Sequence, residues 1–224
     1  MLSIGDVSRQ DAARFMGVRG EPDSQVSALL DRAMEMVIGN VRPQFVWREF
    51  GTEQRDEGIA LIGSELILTG KDIARHLQSC KRAVLMAVTL SSEADKLIRK
   101  TAVTDVALSL AVDSVCSAAV ESACDMAETE IFSAIDAPYR TWRFSPGYGD
   151  LPLDLQSKVL AALNAQRRIG LTATDSSLLI PSKSVTAIIG ISDVPVEQRK
   201  SGCEVCNLRE SCNYRRIGVV CRSK

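Results

Sequence analysis

Three short stretches hold the residue types that can do chemistry. The first is Arg143-Phe-Ser-Pro-Gly-Tyr148. Its arginine is a planar fork of donors suited to a carboxylate. Pro146 restricts the chain, and Gly147 permits a positive φ where backbone must approach a ligand. Tyr148 adds a flat face and one hydroxyl. The second stretch is Pro181-Ser-Lys-Ser-Val-Thr186, which lines up hydroxyls and backbone amides between two apolar runs. Taken singly, each of these reads as an ordinary connection, because Pro-Gly is a turn signal first. The third stretch is Cys203-x2-Cys206-x5-Cys212-x8-Cys221, four cysteines in a short polar segment with metal-ligand spacing. Four thiolates suit zinc or an iron–sulfur cluster.

The rest of the chain must position these groups. Its 224 residues, 46% apolar, suffice for one substantial core with a small appendage. The charge is balanced, 27 basic against 28 acidic residues, which argues against a nucleic-acid or anionic-membrane partner. No run reaches the length of a membrane span and the start lacks signal-peptide character, so a cytoplasmic protein is expected. Seven cysteines without an export signal read as reduced thiols or metal ligands. Cys80, Cys116 and Cys124 lie among apolar neighbours, as small apolar groups do. From Val194 onward there are seven basic and three acidic residues, so a basic tail accompanies the thiolates.

Periodicity predicts the elements. A short helix spans 4–18, and a second follows Asp23, with Val26, Leu29, Leu30, Ala33, Met34 and Val37 on one face. Strands are expected at 44–50, 58–62 and 65–68, the last two joined by a Gly63-Ser64 hairpin turn. A helix over 71–78 precedes the run 82–90, which is apolar on both faces and therefore central in its sheet. Ser91 is placed to cap a further helix. After a break near 100–104 comes a long helix, 105–135, rich in Ala, Ser and Cys. Asp113 and Glu121 stand eight apart on it and so share nearly one face; solvent exposure explains them as well as a site does. A strand at 139–144 leads into the first chemical stretch. A helix runs from 152 to 168, and strands at 177–180 and 185–191 flank the second stretch. Composition changes after Pro195, which divides the chain into a domain of residues 1–192 and a Cys-rich tail of 193–224.

Set in order, these stretches resemble the activation (reactivation) domain of cobalamin-dependent methionine synthase, here in stand-alone form. The resemblance rests on Arg143-x-x-x-Gly147-Tyr148 with Pro152 after it, and on Leu179-Ile-Pro-Ser-Lys-Ser-Val-Thr-Ala-Ile-Ile-Gly190. It extends to Leu66-x-x-Thr-Gly-Lys-Asp-Ile-Ala-Arg-His-Leu77, and so covers about residues 1–192. It implies an α/β (α+β) fold with a curved, mainly antiparallel sheet flanked by helices. It implies binding of S-adenosylmethionine and reductive methylation of cob(II)alamin on a partner, a methionine synthase or another corrinoid protein. A flavodoxin or ferredoxin would supply the electron.

On that resemblance Arg143 holds the methionine carboxylate, Gly147 lets backbone meet the ligand, and Tyr148 sits near the methyl group or the corrin. Glu121, with Asp113 second, is the candidate carboxylate for the amino group or sulfonium. Ser184 and Thr186 contact ligand or corrin. An iron–sulfur cluster at Cys203, Cys206, Cys212 and Cys221 would suit the need for an electron; zinc would make the tail a structural knob. The family's cobalamin-binding module has no counterpart here. The lone histidine, His76, stands in a helix, so cobalamin must arrive on another protein. Two other readings stay open: a docking protein for a corrinoid partner, without turnover and with a structural zinc, and a zinc-ribbon-like adaptor for nucleic acid. The balanced charge of the body counts against the second.

Overall fold

The computed structural model describes residues 7–196. Three long strands form the middle of its main sheet. Strand β4 (Arg82–Thr89) pairs along its whole length with β8 (Ser184–Ser192) on one side. On the other side it pairs with β1 (Gln44–Arg55). Alternate residues of β4 feed two separate cores. Val84, Met86 and Val88 face one; Ala83, Leu85 and Ala87 face the other. Every residue of β4 after Arg82 is buried, as its unbroken apolar sequence requires of a strand covered on both faces. The sheet is completed by β2 (Gly58–Leu61), β3 (Ile67–Leu68) and β5 (Tyr139–Arg140), in the order β3-β2-β1-β4-β8-β5. Every neighbouring pair in it is antiparallel.

One face of the sheet carries α1 (Arg9–Phe15), α2 (Ser24–Asn40), α4 (Ser91–Thr104) and α5 (Val106–Ala134). The other carries α3 (Lys71–His76), α6 (Leu155–Leu163) and α7 (Ala165–Ile169). Asp23 caps α2 by accepting the Val26 N–H at 2.8 Å, and Asp105 caps α5 by accepting that of Leu108 at 3.0 Å. At 29 residues, α5 is about 43 Å long. Ala111, Cys116, Ala118, Ala119, Ala123 and Cys124 are small enough to let it lie close to its neighbours, and all are buried. Burial pushes the Cys116 and Cys124 thiols up to about 12, so both behave as neutral apolar groups. Contrary to the sequence reading, α5 is long and apolar enough to cross a membrane. However, 61% of its most apolar window is buried inside the protein, as in a core helix.

Several boundaries differ from the sequence-based expectations. The 139–144 segment pairs as a strand only at its first two residues, and returns to β8 in a single bridge between Phe144 and Ile188. The 152–168 helix is broken at Asn164, whose backbone is left-handed, and becomes α6 and α7. The 177–180 strand is reduced to β7 (Leu179–Ile180). It pairs with β6 (Thr172–Ala173) in a separate two-stranded sheet, not with β8. The α4 helix starts without a side-chain cap from Ser91 and runs to Thr104, so the break falls at Asp105.

Gly190 of β8 is tightly packed. A Cβ there would lie 2.5 Å from Cys80 Sγ and 2.7 Å from Leu77 Cδ2. Gly190→Ala is expected to destabilise the protein by about 1–3 kcal/mol in urea unfolding, through overpacking. Adding Cys80→Gly should recover part of that loss. An unchanged midpoint for the single variant would contradict this packing.

Candidate functional site

The helix α5 presents a polar stripe. Asp113, Ser117, Glu121, Asp125 and Glu128 follow one another at intervals of four, four, four and three residues, and so share one face. One residue from each chemical stretch meets this stripe. Lys183, at the mouth of β8, places its Nζ 2.9 Å from Asp113 Oδ1 and donates to Ser117 Oγ at 2.9 Å. Arg143 donates to Asp125 at 2.7 Å, Glu128 at 2.6 Å and Glu121 at 3.2 Å. Desolvation pulls the guanidinium down, but negative charge at Cys124, Glu128 and Asp125 holds it above its ordinary value. At neutral pH Cys124 is a thiol, so the carboxylates are the effective partners. One guanidinium among three carboxylates leaves the cluster with a net charge of −2.

The 143–151 segment is shaped by turns and by its neighbours. The Tyr148 N–H donates to Ser145 O at 3.0 Å, and the Gly147 N–H to Leu151 O at 2.9 Å. Gly147 has φ +88°, which its lack of a side chain permits, and a Cβ there would approach Leu153 Cδ1 at 3.2 Å. The Tyr148 side chain is 51% exposed, with its ring 6.0 Å from that of Phe144. After it, the Asp150 carboxylate accepts the Asp72 N–H at 2.9 Å and the Lys71 N–H at 2.7 Å. These bonds hold the Asp150 carboxyl below the usual carboxylate value.

The second stretch is held internally. Thr186 is buried, and its hydroxyl and the Gln156 side chain exchange hydrogen bonds of 2.8 and 3.0 Å, locking α6 to β8. The Ser184 hydroxyl lies 2.7 Å from both Thr89 Oγ1 and Pro181 O. The Ser182 N–H and hydroxyl both bond to Asp95 of α4. Ile188 exchanges backbone bonds with Phe144, and the Gly190 carbonyl accepts the Thr141 N–H, so these residues turn their amides toward the 141–144 segment. A two-residue period turns the amides of Ser184 and Thr186 the same way, beyond the bridge at Phe144.

Of the residues chosen from sequence, Arg143 and Glu121 are in contact, Asp113 is joined to Lys183, and Gly147 and Tyr148 share one turn. Ser184 and Thr186 are close in sequence but have hydroxyls engaged within the protein. Asp125, Glu128, Asp150 and Gln156 escaped the sequence reading. Asp125 and Glu128 continue the spacing of Asp113 and Glu121, which was the available signal. Cys203, Cys206, Cys212 and Cys221 lie outside the described residues. Among the described residues, no group of three or more His, Cys, Asp or Glu side chains is arranged to hold a metal.

The fold has a known relative. A crystal structure of the MetH reactivation domain bound to AdoHcy superposes with a TM-score of 0.65 and 14% sequence identity, covering 97% of this chain and 84% of that one. At that identity the likeness is one of fold. No protein-family model matches the sequence, and no curated protein does.

The Arg143 cluster makes a graded prediction. Arg143 is 14% exposed and Glu128 20%, whereas Asp125 is 73% exposed. Arg143→Ala leaves the shielded Glu128 charge without its guanidinium and should cost about 1–3 kcal/mol. Asp125→Ala should cost less than about 0.5 kcal/mol. Urea unfolding of the two variants checks the order; equal losses would contradict the geometry.

Proposed function

We propose that this chain binds S-adenosylmethionine beside Arg143, Gly147 and Tyr148 and presents its methyl group to a cobalamin carried by a partner protein. The partner is a cobalamin-dependent methionine synthase or another corrinoid protein. The observation that carries this reading is that one cation from each chemical stretch, Arg143 and Lys183, meets the same carboxylate stripe of α5. This occurs in a fold shared with a reactivation domain solved with AdoHcy.

The cofactors supply the reaction. With a partner's cob(II)alamin in place, S-adenosylmethionine would supply a methyl cation and a flavodoxin- or ferredoxin-type donor one electron, giving methylcobalamin and S-adenosylhomocysteine. Methyl transfer draws the uphill reduction forward by removing its product. The chain's own residues bind, orient and exclude water.

The charge of the site fits the ligand. S-adenosylmethionine carries an ammonium, a sulfonium and one carboxylate, and the cluster around Arg143 has a surplus of carboxylates. In this reading the guanidinium exchanges one present partner for the ligand carboxylate. Asp125, the most exposed of the three, is the one it releases. Glu121 then faces the ligand's cationic groups, with Asp113 kept by Lys183. Thr186 holds α6 in place through Gln156, and the 184–186 backbone supplies the ligand contact. Tyr148, half exposed, lies at the rim where methyl group and corrin meet. The thiolates of Cys203, Cys206, Cys212 and Cys221 form a donor set suited to an iron–sulfur cluster or zinc, and we assign the 193–224 tail that role.

Calorimetry tests the central binding step. The wild type should bind S-adenosylmethionine, more weakly as salt is raised because opposite charges are screened. Arg143→Ala should bind it about 10–100-fold more weakly, the worth of a lost charge-assisted bond. A wild type that binds nothing overturns the reading. Metal analysis of anaerobically purified protein tests the tail, and a metal-free protein with four alkylatable tail thiols overturns that part.

A further inference from the structure

One segment singled out in the sequence, Thr69-Gly-Lys-Asp-Ile-Ala-Arg-His-Leu77, contributes nothing to the Arg143 cluster. In the structure it grips the 141–150 segment at two points. At the start of α3, Asp150 accepts the amides of Lys71 and Asp72 across 79 and 78 residues of sequence. Two glycines make this approach possible. Gly70 has φ +127°, and a Cβ on it would lie 2.6 Å from the Asp150 carboxylate. Gly149 has φ +53°, and a Cβ on it would lie 2.3 Å from the Asp72 carboxylate. Each glycine thus clears space for the aspartate of the other segment. Arg75 in turn bonds to Asp72.

At the far end of α3, His76 lies between Trp142 and Phe144. Its ring centroid is 4.6 Å from Trp142, edge-on, and 4.9 Å from Phe144. Its Nε2 shares a 2.7 Å hydrogen bond with the Thr141 hydroxyl, which also accepts the Gly190 N–H at 2.8 Å. The grip at Asp150 lies two residues after Tyr148; the grip on Phe144, whose ring meets that of Tyr148, lies four residues before it.

We propose that α3, held by Asp150 at one end and by His76 at the other, is the positioning element for Tyr148. Asp150 and His76 are positioning residues that act through the 144–150 turn. The consequence for ligand binding rests on the reading given under Proposed function; the positioning itself does not.

The test uses the full chain labelled with 3-fluorotyrosine. It has three tyrosines, Tyr139, Tyr148 and Tyr214, and Tyr148→Phe assigns the central resonance. In Asp150→Ala the Tyr148 resonance should shift and broaden while that of Tyr139 stays, with the far-ultraviolet spectrum unchanged. Asp150→Asn, which keeps one acceptor oxygen, should restore it in part. Affinity for S-adenosylmethionine should fall about 10-fold in Asp150→Ala, since small misplacements of a positioned group are costly. If that variant fails to fold, Gly149→Ala drives a methyl group toward Asp72 and should move the same resonance. A Tyr148 resonance unmoved in every folded variant overturns the proposal. A wild type that binds no S-adenosylmethionine overturns the functional reading alone, because the fluorine resonances still report on the turn.

Discussion

A strand buried on both faces must satisfy its amides within the plane of the sheet, and this constraint on β8 fixes most of what surrounds it. One edge of β8 is taken by β4 over its full length. The other edge receives Tyr139, Arg140, Thr141 and Phe144 along its second half only. The chain must therefore leave the sheet at Phe144, and the turn carrying Gly147 and Tyr148 begins there. At the opposite end of β8, the residue before the strand is Lys183, which meets Asp113 on α5. The two chemical stretches are thus brought to one edge by the hydrogen-bonding needs of a single strand.

Charge then decides how that edge is closed against α5. Arg143 and Lys183 are both largely shielded from water, and each finds carboxylates on the same helix face. The difference lies in number. Lys183 meets one carboxylate, whereas Arg143 meets three, so the surplus of negative charge lies around Arg143. Such a surplus favours a cationic ligand over a neutral one of the same shape.

Much of the fold could be read from the sequence, and the exceptions have physical causes. The central place of β4 followed from its two apolar faces, α2 from its spacing behind Asp23, and the β2–β3 hairpin from Gly63-Ser64. The mixed architecture, an antiparallel sheet flanked by helices, was likewise correctly expected. The strand at 139–144 was overextended because Thr141 uses a side-chain oxygen, not its carbonyl, to accept the Gly190 N–H. The break at Asn164 is invisible to periodicity, since apolar residues continue across it. Long-range partners were the least accessible. Nothing local ties Asp150 to an α3 amide 79 residues earlier, or Asp125 to an arginine 18 residues later. Residue type marked Arg143, Gly147 and Tyr148, but only the folded chain shows which carboxylates meet the guanidinium.

We propose that this chain is a methyl-presenting component acting on a partner's cobalt. The most direct measurement is the visible spectrum of a cob(II)alamin-loaded corrinoid protein mixed anaerobically with this protein, S-adenosylmethionine and a one-electron donor. The account predicts that the methylcobalamin spectrum appears, and that it requires all four components. A cob(II)alamin spectrum that persists, with S-adenosylmethionine bound and the electron donor reduced, would contradict it.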